Sequence, residues 1–261
     1  MVNRKKPSRG QIAEEASFHD KRFRGEKQVT GCLERWIISL RPPLPDLASK
    51  LLMVLGQVSG KSICELGCGD GGLTRELATR GARISAIDIS AEALSLTREQ
   101  NKEFIPGQLD VQQMDVSNLL FNDESFDLVA GISILYHVDI GKAAVEVSRV
   151  LRPGGRAVFI EPLACNPVSN LWRRLSPGAR TPDELPLSYS EISDMGRRFS
   201  SVNCREFALL TLLSSFVYLI THSQKAKIKS AELLDRLEPS FLKVCKPLRR
   251  YSGAILIEFT K

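Results

Sequence analysis

Three carboxylates stand where short apolar runs give out: Glu65 after Ser62-Ile63-Cys64, Asp88 after Ile84-Ser85-Ala86-Ile87, and Asp115 after Met114. Beside the first, glycines fall at alternate positions in Glu65-Leu66-Gly67-Cys68-Gly69-Asp70-Gly71-Gly72. A glycine-rich turn lets backbone approach a ligand closely and leaves the N–H groups of a following helix available to it. Gly67, Gly69 and Gly72 also complete a G-x-G-x-x-G, a pattern too common to identify a ligand alone. A pyrophosphate disfavours neighbouring acids, whereas here Glu65 and Asp70 bracket the glycines, which suits a ligand carrying positive charge. Asp88, ending a second strand, is placed to accept from both hydroxyls of a ribose. Asp115, ending a third, is placed to accept from an adenine amino group. Together the three acids describe a ligand with an amine or sulfonium, a ribose and an adenine. Each acid alone also has a plainer reading, as a solvated strand end or a helix or turn cap.

Acids act as a set only if the fold brings those strand ends together. Apolar patterning predicts strands over 62–66, 83–87, 109–114, 126–130 and 156–161. Between them it predicts helices over 72–80, 90–102 and 140–150, with a further helix over 46–56 in front. Asp46 and Ser90 are N-caps, and Gly81 closes the helix before it. Strict alternation of strand and helix implies a parallel, doubly wound α/β sheet, which holds ligands beyond the carboxyl ends of its strands. After Pro162 the pattern becomes irregular. Residues 162–190 read as a loop or small cap, 200–207 and 254–259 as two late strands, and 208–223 and 228–238 as helices between them. The chain divides into a polar, basic leader over 1–45 and a domain over 46–261, with cap insertions at about 162–199 and 208–250.

At these positions the sequence resembles the class I S-adenosylmethionine-dependent methyltransferases. Three segments carry the resemblance: Ile63 through Gly71, Met114 through Val129 (Met-Asp-Val-Ser-Asn-Leu-Leu-Phe-Asn-Asp-Glu-Ser-Phe-Asp-Leu-Val), and Leu151-Arg-Pro-Gly-Gly-Arg-Ala-Val-Phe159. It implies a Rossmann-like sheet of seven strands, mostly parallel with an antiparallel last strand, plus an N-terminal lid and helical cap insertions. It also implies S-adenosyl-L-methionine as cofactor. Gly67, Gly69 and Gly71 would pass close to its methionine part, Glu65 would help to order that site, and Cys68 would be a small filler between the glycines. Asp88 would bind the ribose, Ile89 would pack on the adenine, and Met114 and Asp115 would flank and hydrogen-bond it. Gly131, just past the fourth strand, would line the floor near the sulfonium.

A base is needed only if the acceptor must lose a proton. His137, beside Tyr136 after the fourth strand, is one candidate; the alternative is that both residues begin the following helix. His19 lies in the leader, expected to fold over the cofactor as a lid. Trp172 and Arg173, with Arg174 and Arg180, offer an apolar wall and anion contacts, or simply surface charge. These features favour a small lipophilic or isoprenoid-like acceptor. A cyclase or isomerase using the same cofactor, a nicotinamide-dependent oxidoreductase and a non-catalytic binding protein are the competing readings.

Composition narrows the setting. The net charge is +6, with basic residues dense in the first 35 positions and again from Lys225 to Arg250. No aromatic-interleaved basic stripe accompanies them, so nucleic acid is not expected as a partner. The six cysteines are scattered without a C-x-x-C pair, so no metal site is expected and reduced thiols fit a cytoplasmic protein. No apolar region follows the basic start as a secretory leader requires. The apolar stretch 207–220 is too short to span a bilayer, and reads first as a core helix, second as one touching a membrane surface.

Overall fold

The computed structural model describes residues 9–25, 46–105, 107–175 and 185–261. Seven strands form one sheet: β1 (Ser62–Leu66), β2 (Arg83–Asp88), β3 (Leu109–Gln113), β4 (Phe126–Ile132), β5 (Leu151–Pro162), β6 (Ser201–Phe207) and β7 (Ala254–Thr260). Their order is β3-β2-β1-β4-β5-β7-β6. β1 pairs in parallel with both β2 and β4, so the strand order reverses at β1 and opens a crevice at its carboxyl end. β7 runs antiparallel to β5 and β6, which makes it the one reversed strand of the sheet.

The helices are α1 (Arg9–Phe23), α2 (Leu47–Leu55), α3 (Gly72–Thr79), α4 (Ala91–Gln100), α5 (Ile140–Val150), α6 (Pro167–Leu175), α7 (Tyr189–Gly196), α8 (Ser214–Thr221) and α9 (Gln224–Val244). Their starts follow the sequence signals. Asp46 accepts from Ser49 N at 3.0 Å, and the Ser90 hydroxyl from Ala93 N at 3.1 Å. One apolar face of the sheet packs on α2 and α3 through Leu51, Leu55 and Leu77. The other packs on α5 and α7 through Val147, Val150 and Ile192. Each such fully buried aliphatic side chain contributes about 1.5–3 kcal/mol, enough to hold the central strands rigid beneath the crevice.

The periphery departs from the expectation. The basic leader contains a helix, α1, whose fifteen residues carry no apolar stripe by which to predict it. Residues 26–45 of the leader lie outside the described residues. Within the stretch read as a loop or small cap, α6 is a helix, and α7 begins at the end of that stretch, where Ser188 and Glu191 form its capping box. The helix expected over 228–238 is the longer α9, which contains Pro239. The stretch 207–220 is not one core helix: Phe207 and Ala208 are buried at the end of β6, a 3-10 turn (Leu210–Leu213) and α8 follow with Thr211, Ser214 and Ser215 buried, and Phe216, Leu219 and Ile220 face outward. The reason is a pairing between residues distant in sequence. The two N–H groups that open the turn donate to the buried Glu238 carboxylate (Leu209 at 3.0 Å, Leu210 at 2.9 Å), which rotates the apolar side chains away from the body.

Candidate active site

The crevice at the carboxyl ends of β1, β2 and β3 holds a cavity of about 70 Å³ and is open to solvent. Gly67, Asp88, Ile89, Met114 and Asp115 line it together. The glycine loop is tied down by N–H groups of Gly67 and Cys68, which both donate to the Ile87 carbonyl, at 2.8 and 3.0 Å. Asp88 clamps loop and helix at once: Oδ2 accepts from Gly69 N at 3.1 Å and Oδ1 from Ser90 N at 2.9 Å. A carboxylate has about four lone-pair directions, so Asp88 keeps acceptor capacity for ligand hydroxyls. Asp115 Oδ1 accepts from Ser117 N at 2.8 Å, and Met114 N donates to the Asp88 carbonyl at 3.1 Å, locking the ends of β2 and β3 together. Two acids, two apolar side chains and an unobstructed glycine therefore face one space, which fits an adenosine with its ribose and a cationic tail.

Two glycines have a demonstrable steric reason. Gly67 (φ +69°) would place a Cβ 2.8 Å from Ile134 Cδ1, and Gly71 (φ +86°) would place one 2.6 Å from Asn101 Nδ2 and 2.9 Å from Thr97 Cα. Gly131 lies within β4, which runs on to Ile132, and not past it. A Cβ there would meet Ile134 and the Leu66 carbonyl, so its smallness serves strand packing beneath the crevice. Cys68 is buried, its sulfur accepting from the Thr97 hydroxyl at 3.5 Å, and burial raises its thiol pKa.

Glu65 does not line the crevice. It is buried beneath the loop, where Oε2 accepts from the Thr74 hydroxyl at 2.6 Å. Burial pushes its carboxyl up to about 8, against the pull of that hydrogen bond and with help from the charges of Asp88 and Asp70. Its place in the site is that of a brace between β1 and α3.

In the leader, which was expected to form a lid, α1 packs on α4. Asp20 Oδ1 accepts from the Ser90 hydroxyl at 2.5 Å and from Glu92 N at 3.2 Å, docking α1 onto the N-terminus of α4. The docked helix brings Ile12 and Glu15 to the crevice opposite Ile134 and His137. Glu15 Oε1 lies 2.6 Å from His137 Nδ1 and 3.4 Å from His19 Nε2. Burial raises the Glu15 carboxyl, but hydrogen bonds and charge from His137 and His19 outweigh it and bring its pKa down to about 2. An ionised Glu15 only accepts, so His137 Nδ1 carries the proton of that bond and Nε2 is the basic nitrogen. His137 itself sits on a 3-10 turn (Leu135–His137) anchored by the buried Glu161, whose Oε1 accepts from Ile134 N at 2.9 Å and Leu135 N at 2.8 Å.

Tyr136 stacks beside His137 with ring centres 4.0 Å apart, and His19 meets His137 edge-on at 5.1 Å; neither lines the crevice. Trp172 and Arg173 are on α6, beyond the carboxyl end of β5, and Arg180 lies outside the described residues. Glu15 and Glu161 are the residues that sequence patterning does not single out. Glu15 had one signal, its i, i+4 spacing from His19 on a helix. The donor atoms of Glu15, His19 and His137 fall within 4.8 Å of one another, a zinc-like donor set where no metal site was expected.

Residues 64–159 match the family model described as a methyltransferase domain. This part of the chain is similar to methyltransferase domains. Among similar proteins, a ubiquinone biosynthesis O-methyltransferase of Alkalilimnicola ehrlichii is 36% identical over 120 residues, 45% of this chain and 48% of that protein. An S-adenosyl-L-methionine-dependent Diels-Alderase of a Neonectria species is 34% identical over 128 residues, 48% of each. The match thus spans about half the length of these relatives. A solved geranyl diphosphate methyltransferase, in complex with GPP and sinefungin, superposes with a TM-score of 0.57 at 20% identity, covering 82% of this chain and 76% of that one. That likeness shows the fold. The matched stretch runs from within β1 to within β5 and includes Asp88, Asp115 and His137, whereas Glu15 and helices α6 to α9 lie outside it.

Proposed function

We propose that this protein transfers a methyl group from S-adenosyl-L-methionine to a small, lipophilic or isoprenoid-like acceptor. The observation that carries the reading is the shared crevice of Gly67, Asp88 and Asp115, closed by a lid helix that presents Glu15 to His137. The bound cofactor supplies an activated methyl on its sulfonium. In this reading Asp88 accepts from the ribose hydroxyls and Asp115 from the adenine amino group, with Ile89 and Met114 on the ring. Gly67, Gly69 and Gly71 give the methionine part its room, and Gly131 keeps the floor low. His137 takes the proton of an acceptor hydroxyl at Nε2, while Glu15 fixes its tautomer and holds the imidazolium that results. Tyr136 and His19 hold the imidazole from its flanks. In the same reading residues 1–45 are assigned as the lid, and Trp172 and Arg173, in the insertion after β5, are assigned to the acceptor. Among described residues no helix is long and apolar enough to cross a membrane. A cytoplasmic location, small-molecule biosynthesis and peripheral contact with a membrane complete the proposal.

The relatives support acceptors of this kind, since one is named for ubiquinone biosynthesis and the solved neighbour for geranyl diphosphate. The Diels-Alderase likeness favours one second reading, in which the same cofactor serves a cyclisation without losing its methyl. Incubation with methyl-labelled cofactor separates them. Label in the product supports transfer, and a changed product with the cofactor's label intact overturns it. Calorimetry with S-adenosylhomocysteine tests the cradle itself: Asp88→Ala should weaken binding by about 1–3 kcal/mol, as expected when a charged hydrogen-bond acceptor is lost. Unchanged affinity would refute the ribose assignment.

A further inference from the structure

Helix α9 is turned inside out relative to an ordinary surface helix. At about 100° per residue, Leu233, Leu237 and Val244 form one stripe, and Lys225, Lys229, Arg236 and Lys243 form a second beside it. The buried Ala231, Glu238 and Leu242 fall on the opposite side, against the body. Both stripes therefore face outward, and the apolar one is fully presented: Leu233 is 58%, Leu237 54% and Val244 83% exposed. Helix α8, packed against α9, adds Phe216 and Ile220 at 61% and 81% exposure.

Charge on this hairpin is one-sided. Between Lys225 and Arg250 eight lysines and arginines stand against three acids, and of the eight Lys227 is buried, its ammonium over the Tyr218 ring. Two of those acids are engaged inward: Asp235 pairs with Lys50 of α2 at 3.0 Å, and Glu238 accepts from the backbone of the turn before α8. The third, Glu232, borders the basic stripe on its outer margin. An outward apolar stripe flanked by cations is the pattern of a helix that lies in the plane of a membrane interface, with the apolar side chains in the acyl boundary and the lysines at the headgroups.

Topology sets this hairpin at the functional end of the sheet. It is inserted between the last residue of β6 and the first of β7, and Phe207, Ala254 and Pro162 are in register there, at the carboxyl end of β5. We infer that the outward face of α9, with the exposed end of α8, docks this protein on an anionic lipid surface. A second copy of the chain is a poor occupant, because two identical basic stripes would meet in a symmetric pair. The inference stands on α8 and α9 and does not require the methyl-transfer reading.

Vesicle sedimentation of the full chain tests it. Binding is expected to vesicles of phosphatidylcholine with about one-third phosphatidylglycerol, to be weak on phosphatidylcholine alone, and to fall as salt is raised. Reversing Lys229→Glu and Arg236→Glu should lower partitioning roughly tenfold or more. Leu233→Ser with Leu237→Ser should do the same without removing a charge. S-adenosylhomocysteine affinity and the circular dichroism spectrum should stay unchanged in both pairs, which shows that folding is intact. Equal binding of wild type and both variants, or none to anionic vesicles, would overturn the proposal. So would a concentration-dependent dimer in sedimentation velocity that the leucine pair dissolves, since the face would then belong to self-association.

Discussion

At the scale of single residues, the glycine loop shows two different reasons for one residue type. Gly71 combines a left-handed φ with a Cβ position already filled by the Asn101 side chain and the Thr97 backbone, so Gly71→Ala must strain the turn that starts α3. The expected loss is about 1–3 kcal/mol in unfolding free energy, with cofactor affinity falling alongside. Gly154, whose φ is also positive but whose Cβ would meet nothing within 4 Å, should tolerate alanine better and serves as the control. Glu65 makes a pH prediction. Its carboxyl titrates at about 8 when folded, against 4.5 for an ordinary glutamate. Between those values the folded state holds a proton that the unfolded chain has lost, so stability falls as pH rises from about 4.5 to 8. Glu65→Gln keeps the hydrogen-bonding shape without the titration. Its urea midpoint, measured at about pH 5, 6.5 and 8, should decline less steeply than that of wild type.

At the scale of elements, α1 ties the site together from outside the core, and its two acids do separable work. Asp20 docks the helix by accepting from the start of α4, whereas Glu15 acts at the His137 ring. Asp20→Ala should cost about 1 kcal/mol of docking, the typical worth of a lost cap. It should show as faster proteolysis within residues 9–25 and a weaker apparent cofactor affinity. Glu15→Gln should leave proteolysis near wild type and lower turnover at least tenfold, with a changed pH profile, because the amide no longer fixes the imidazole tautomer. Equal effects of the two changes on turnover would mean that Glu15 only docks the lid. The folded pKa of Glu15, about 2, lies below its unfolded 4.5, so its contribution is complete above about pH 4.5 and fades as pH falls towards 2. Lid closure monitored by proteolysis should therefore be level through neutral pH. The helix itself was not legible in the leader, since a helix without an apolar stripe that docks by a cap and a half-buried Glu15–His137 pair leaves no periodicity to read. The strand end at Asp88 was legible because apolar run, acid and helix cap succeed one another in the chain.

At the scale of the molecule, β1 through β5 were readable because alternating elements of a parallel sheet bury both faces and so write long apolar runs. The chain beyond Pro162 was not, and α8 shows why: its orientation depends on Glu238, a residue more than twenty positions away whose burial no local pattern announces. The crevice gathers residues from the ends of β1, β2 and β3, from the turn after β4 and from α1, so a ligand that fills it should stabilise the whole domain and not one loop. A ligand present at about a hundred times its Kd stabilises the folded state by about 2.7 kcal/mol. For a chain of 261 residues that corresponds to a rise in Tm of roughly 5–10 °C. S-adenosylhomocysteine should produce such a rise in a thermal scan and NAD should not, because a pyrophosphate would be set at the glycine loop and the start of α3, where the Asp70 carboxylate already accepts from Gly72 N at 3.3 Å. A shift with NAD and none with the adenosyl ligand would return the glycine loop to the dinucleotide reading and leave the carboxylates as caps.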